Sequence, residues 1–251
     1  LRASNQCFKV PQSTLKIDTS QQVTNGIQLL TQETSMAAVN AKPNDTPRSM
    51  PKQARRKQLI QATIKCIAMN GLSSTTMADV TQQAGLSTGI VNLHFQSKEK
   101  LLIETLRYIS DEYTEGLNKI YNDKSLNTEQ KILAHINFDF SRAIIDRNKL
   151  AVWFAFWGET KSRPTYLSIC ASYVSEIANN LTHLFVLLKQ QGDYSDVNPD
   201  LVCTCYTALS DGLWLDLLIT PKGMKPAQAQ AVAMHYLATQ FPEHFKNKTE
   251  H

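Results

Sequence analysis

The stretch GLSTGIVNLHFQSKEKLL, residues 85–102, holds side chains that have a use against double-stranded DNA and little use in water. On a wheel at about 100° per residue, residues 88–95 bring Val91 and Phe95 to one face. Leu86 and Val91 stand at the N′ and N4 positions of a hydrophobic staple beneath them. The opposite face carries Gly89, Ile90 and Leu93, flanked by Thr88, Asn92 and His94. In a solvent-facing helix a glycine loses up to about 1 kcal/mol against alanine, and Ile90 and Leu93 gain nothing. Against a major groove, Gly89 permits close backbone approach and Ile90 and Leu93 meet thymine methyls. Asn92 can reach adenine or a phosphate, and Thr88 a base edge or a phosphate. The competing reading is that protein covers Ile90 and Leu93 and that Gly89 is a spacer.

Helix N-termini at Ser97-Lys98 and Thr76 offer phosphate sites, and Arg55 and Arg56 add mobile positive charge. The candidate DNA contacts are therefore Arg55, Arg56, Thr76, Ser87, Thr88, Gly89, Asn92, Leu93, His94 and Lys98.

A second chemistry lies further along. Trp153, Phe154, Phe156 and Trp157 crowd the segment AVWFAFWGE, and Trp214 sits in LSDGLWLDLL, so all three tryptophans fall in two places. A quaternary ammonium has no conventional hydrogen bonds to offer and is held by aromatic faces, at about 0.5–2 kcal/mol per good contact. Trp153, Phe156, Trp157, Asp211 and Trp214 are the candidate ligand residues, and Glu159 and Asp216 could add negative potential. The alternative is an aromatic stripe that belongs to the core.

The elements that must position these residues are all helical. From Lys52 onward apolar residues recur at spacings of three and four, and no sustained period-two alternation intervenes. A first helix over about 52–70 stops at Asn70-Gly71-Leu72. Thr76, with Asp79 three residues on, starts a short helix over 77–84, and Gly85 ends it. Ser87 caps the helix over 88–95, and Ser97 one that runs to about Tyr121. Later starts fall at Asn127/Thr128 and at the prolines 164, 199 and 226, whose missing N–H is harmless in a first turn. The expected architecture is all-α, with about nine helices: a three-helix DNA-binding head with a helix-turn-helix at 76–95, then a helical ligand-binding and dimerisation body. The expected divisions are a flexible extension at 1–49, the head at 50–112, the body at 113–245 and a tail at 246–251, with Met50 resembling a natural start.

Charge divides the same way. Residues 1–49 carry +2, residues 50–100 carry +5 and residues 101–251 carry −3. A basic block on a mildly acidic remainder fits a polyanion-binding head, although a solvated basic surface would look alike. The five cysteines are odd in number and scattered, as expected of reduced thiols in a cytoplasmic protein, and a metal site is not expected. The polar N-terminus is unlike a signal peptide, and no run reaches the roughly 18 uninterrupted apolar residues of a membrane span.

Residues 52–121 resemble the DNA-binding region of the TetR family of bacterial repressors, through TTMADVTQQAGLS, HF and SKEKLL at these spacings. Asn92 stands where that family usually has tyrosine. GLSTGIV, AVWFAFWGE and LSDGLWLDLL are further similar to the choline-responsive, BetI-type regulators of glycine betaine synthesis, over about 190 residues. The resemblance implies a homodimer on a palindromic operator, repression of choline-to-betaine genes and release by choline. It also implies a four-helix interface from the last two long helices, which carry Leu209, Leu213, Leu217, Val232, Tyr236 and Leu237; internal core is the alternative for these. Leu93-His94 departs from the His-Tyr order of that subgroup, so a different operator preference is expected.

No catalytic constellation is present: G-x-S-x-G, a phosphate-cradling glycine loop and H-E-x-x-H are all missing. The six histidines are dispersed, and His135 and His183 read as satisfied core residues. No enzyme and no cofactor are expected. A regulator of an efflux pump for another lipophilic cation, and a helical protein–protein module with a basic head, are the alternatives.

Overall fold

The computed structural model describes residues 52–220 and 222–245. The expected extension at 1–49, Met50 and the tail at 246–251 lie outside the described residues. Ten helices occur among the described residues, with no strand: α1 (Lys52–Asn70), α2 (Met77–Ala84), α3 (Thr88–Phe95), α4 (Lys98–Tyr121), α5 (Thr128–Asp139), α6 (Arg147–Glu159), α7 (Pro164–Gln191), α8 (Pro199–Ile219), α9 (Pro226–Gln240) and α10 (Pro242–Phe245). The tenth, one turn long, is the addition to the nine expected. It forms because Phe241 and Phe245 are both fully buried, with Phe241 stacked on Phe185 at 5.6 Å.

The caps follow the sequence. Thr76 and Asp79 close a reciprocal capping box on α2, and Asn127 with Gln130 does the same on α5. Gly85 ends α2 at φ 65°, a left-handed turn that glycine takes without strain. Leu86, half-buried, then leads into α3.

α1 packs on α2, α4 and α6. Its Leu59, Ile64 and Ile67 join Val80, Val91, Phe95 and Leu102 in a core that fixes α2 and α3 relative to α4. α4 runs without a break from Lys98, beside α3, through the expected boundary at 112/113 to Tyr121. At Gly116 the ring of Phe138 comes so close that an added Cβ would stand 2.1 Å from its Cζ, so α5 lies tight against α4 there. α6, α7 and α8 close the body around these two.

α8 is apolar on two sides, and among the described residues the outer one is left uncovered. Leu201 is 60% exposed, Leu215 40% and Ile219 64%, and with Cys205, Ala208 and Gly212 they form one exposed stripe at spacings of three and four. Val232 on α9 is exposed as well. By length and composition alone α8 would suffice to cross a membrane, but its inner face carries the buried Val202, Tyr206, Leu213 and Trp214 of a core helix. Of the six residues expected at a dimer interface, Leu213 and Leu237 prove to be internal core, Leu209, Leu217 and Tyr236 are half-buried, and Val232 remains on the surface.

Candidate functional site

α3 presents the surface that the sequence anticipates, with changes. Val91 and Phe95 are buried, while Thr88, Gly89, Asn92 and Leu93 are exposed, Leu93 to 77%. Ile90 departs from expectation: it is half-buried and packs against the core, because α3 is seated more deeply than a two-faced wheel implies. Ser87 occupies the N-cap position, but its side chain makes no capping bond and is exposed. Among the described residues a Cβ on Gly89 would meet only Ser87 Oγ, at 4.0 Å, so they leave that position open. Gly89→Ala is therefore expected to raise stability by up to about 1 kcal/mol through helix propensity, while weakening operator binding. A thermal melt and a fluorescence-anisotropy titration would read the two effects, and unchanged affinity would make Gly89 a spacer.

Several expected phosphate ligands are already engaged. Arg56 is no mobile charge: Nη1 donates to His94 O at 2.8 Å, Nη2 donates to Glu104 Oε2 at 2.9 Å, and the guanidinium lies 4.5 Å from the centre of the Phe95 ring. It clamps the end of α3 to α4. Arg55 donates to Gln58 Oε1 at 2.8 Å. The Thr76 hydroxyl donates to Asp79, whose carboxyl these Thr76 bonds hold below the usual range. Lys98 Nζ donates to Ser73 O at 2.8 Å, tying the turn after α1 to α4. His94 is half-buried, and its Nδ1 has no hydrogen-bond partner among the described residues. Burial, with Arg56, Lys52 and Arg55 nearby, lowers its pKa, so the imidazole is neutral. The freely presented set is thus Ser87, Thr88, Gly89, Asn92 and Leu93.

A cavity of about 110 Å³ opens in the body between five helices. Trp153 and Trp157 of α6 and Trp214 of α8 line it, with Asp211, as the sequence suggests. Phe156 does not: it is fully buried on the other side of α6, edge-on to Tyr166 at 5.0 Å, because the stripe at 153 and 157 turns it away. Glu159 and Asp216 are also elsewhere, the first paired with Arg163 and the second accepting from Thr220 Oγ1 at 2.9 Å. The indoles are held firmly. Trp157 Nε1 donates to Tyr173 Oη at 2.7 Å, Trp214 Nε1 donates to Asp139 O at 3.0 Å, and Trp153 lies 5.1 Å from the Tyr173 ring.

The centre of this cavity is a residue that sequence reading missed. Asp139 of α5 is 1% exposed and accepts from Tyr113 Oη of α4 at 2.6 Å and Tyr206 Oη of α8 at 2.9 Å. His135 Nε2 approaches it at 3.2 Å, and His135 Nδ1 meets the Tyr121 hydroxyl at 2.5 Å. His135 is therefore a satisfied buried histidine, as read, yet it also borders the cavity; His183, by contrast, is exposed. Burial, followed by the Asp139 charge, raises the Tyr113 and Tyr206 pKa values well above normal, which keeps both hydroxyls protonated as donors. Asp211 keeps an open side to water, but crowding of its carboxyl and the Asp139 charge push it up to about 6. The one signal available was His135 and Asp139 at i and i+4, an ionisable pair on the mostly apolar ILAHINFDF.

An aromatic cavity with a buried carboxylate in one region and an exposed helix-turn-helix in another is an arrangement found in ligand-responsive regulators. The profile described as bacterial regulatory proteins of the tetR family matches residues 59–105, and that described as the C-terminal part of BetI-type transcriptional repressors matches residues 128–242. The chain belongs to the TetR family. The HTH-type transcriptional regulator BetI of Escherichia coli O17:K52:H18 is 27% identical over 191 residues, 75% of this chain and 94% of that one. BetI of Escherichia coli K12 is 26% identical over 189 residues, with the same coverage. A transcriptional regulator from Pseudomonas aeruginosa PAO1 shares the fold at a TM-score of 0.68 and 22% identity, over 79% of this chain and 96% of its own. One from Saccharomonospora viridis, solved in complex with choline, gives 0.65 at 18% identity, over 74% and 96%. The TetR family and these relatives are transcriptional regulators and not enzymes, which is the class to which this chain belongs.

Proposed function

We propose that the chain is a homodimeric repressor, acting in the cytoplasm, that leaves a palindromic operator when a compact organic cation enters the cavity. Choline is the cation that fits the reading best, and choline-to-glycine-betaine genes are the targets. Residues 50–112 serve as the reading head and 113–245 as the binding and dimerisation body. The observation that carries this proposal is the cavity itself: three indoles and Tyr173 surround space flanked by Asp139 and Asp211, the setting in which a quaternary ammonium gains both ring faces and counter-charge. The choline complex of the Saccharomonospora viridis regulator supports the same choice. Thr88, Gly89, Asn92 and Leu93 enter the major groove, while Ser87, the N-terminus of α2 and the N-terminus of α4 meet phosphates.

Two titrations test it. A duplex enriched by repeated selection from a randomised pool should be a palindrome, bound with a steep fall in affinity as salt rises. A failure to enrich any sequence would favour a protein-binding module. In calorimetry, choline should bind and a bulky cationic dye should not, given the size of the cavity; the reverse result would point to an efflux regulator. The pH dependence has a definite sign. A bound cation favours the ionised Asp211, whose pKa is about 6, so binding releases protons near that pH. Affinity for choline should rise several-fold between pH 5 and 7.5 and stay level above.

A further inference from the structure

Asp139 links more of the protein than a ligand-holding carboxylate needs to. Its two oxygens tie α5 to Tyr113 on α4 and to Tyr206 on α8, and its backbone carbonyl takes the Trp214 N–H from α8. α4 then continues toward the DNA-reading end. Nine residues before Tyr113, about 14 Å along the axis, Glu104 receives Arg56, which holds the last turn of α3 through His94 O. Side-chain bonds at Tyr113 and at Glu104, joined by nine residues of continuous helix, therefore connect the cavity to the reading helix.

We propose that the effector's positive charge, and not its bulk, triggers release, by competing with Tyr113 and Tyr206 for Asp139 and so untying α4 from α8. The proposal rests on the reading of the cavity as a cation site. It follows from the rule that a ligand shifts an equilibrium only by its differential interaction with the two states. A neutral molecule of the same shape fills the aromatic space equally in both arrangements. A cation gains most where the carboxylate is free of its tyrosines. Asp211, which has no such ties among the bonds of the network, contributes affinity in both. Asp139 and Tyr113 are thus positioning residues for the reading helix, and Arg56 conveys the change.

The experiment compares choline with 3,3-dimethylbutan-1-ol, its neutral isostere with carbon in place of nitrogen, on the full chain and the selected duplex. Tryptophan fluorescence reports occupancy, since all three indoles line the cavity. At saturation choline should weaken duplex affinity about tenfold or more, and the isostere at equal occupancy should leave it within about twofold. Tyr113→Phe, which keeps the ring, should lower the affinity of the ligand-free protein toward the choline-bound value and shrink the further effect of choline. A purely structural Tyr113 would lower the melting temperature and leave the choline ratio intact. Release by the isostere as strong as by choline, or a full choline response in Tyr113→Phe, overturns the proposal while the cation site stands. Absence of choline binding to the wild-type chain removes the cation site and the proposal together.

Discussion

Leu93→Asp is expected to abolish operator binding, by a factor of at least about 100, with stability changed by no more than about 0.5 kcal/mol. The two halves of this expectation come from one fact. Leu93 is 77% exposed, so its replacement removes almost nothing from the core. Its neighbours Thr88, Gly89 and Asn92 are exposed with it, on a helix whose Val91 and Phe95 fix its depth. An aspartate there would carry negative charge into a groove walled by phosphates and would lose the thymine-methyl contact, so repulsion and lost contact act together. Leu93→Ala isolates the second effect and should be milder, at about 1–3 kcal/mol of affinity or less. Circular-dichroism melts and anisotropy titrations on the same preparations make the comparison. Wild-type affinity in Leu93→Asp would mean that α3 does not read the groove.

The second large effect is expected from Leu215→Arg. Leu215 lies toward the C-terminal end of the exposed stripe of α8, between Gly212 and Ile219, and nothing among the described residues lies within 4 Å of a Cβ built at Gly212. In the proposed homodimer a patch of this kind, continuous along most of a helix, would serve as the interface, and the bare glycine would allow two helices to approach closely. Placing an unpaired guanidinium at such a contact carries a penalty of several kcal/mol per copy. Sedimentation should show half the wild-type mass at micromolar concentration. Because a dimer engages two half-sites at once, operator affinity should fall by about three orders of magnitude or more, through the loss of effective concentration. A variant that stays dimeric would move the interface elsewhere.

Much of the fold was legible in the sequence because helix ends are local events. Prolines 164, 199 and 226 sit at first turns, Asn127 and Thr76 build capping boxes within four residues, and Gly85 needs only its own backbone angle. The start of α6 was not legible: Asp146 caps it through Asn148 N and Lys149 N, within a run of Ile-Ile-Asp-Arg-Asn that carries no turn glycine or proline. The sites divide along the same line. The exposed face of α3 follows from periodicity within eight residues. Arg56 looks free in sequence and is locked in the fold, because its partners His94 and Glu104 lie 38 and 48 residues away. Asp139 escaped notice for the same reason, with Tyr113 and Tyr206 at 26 and 67 residues. On α8 apolar residues stand on both sides of the polar line Asp200, Thr204, Thr207 and Asp211, so no period can say that Leu213 faces inward and Leu215 outward.

The continuity of α4 has a mechanical consequence. Fifteen residues separate Tyr113 from Lys98 on one 24-residue rod, a lever arm of about 22 Å. Pivoting that rod by about 5° near Tyr113 carries its far tip sideways by roughly 2 Å, further than an N–H···O bond can stretch and survive. Release as proposed would thus need no large rearrangement around a small ligand, since leverage alone would amplify a slight displacement to the scale at which a protein–DNA fit is lost.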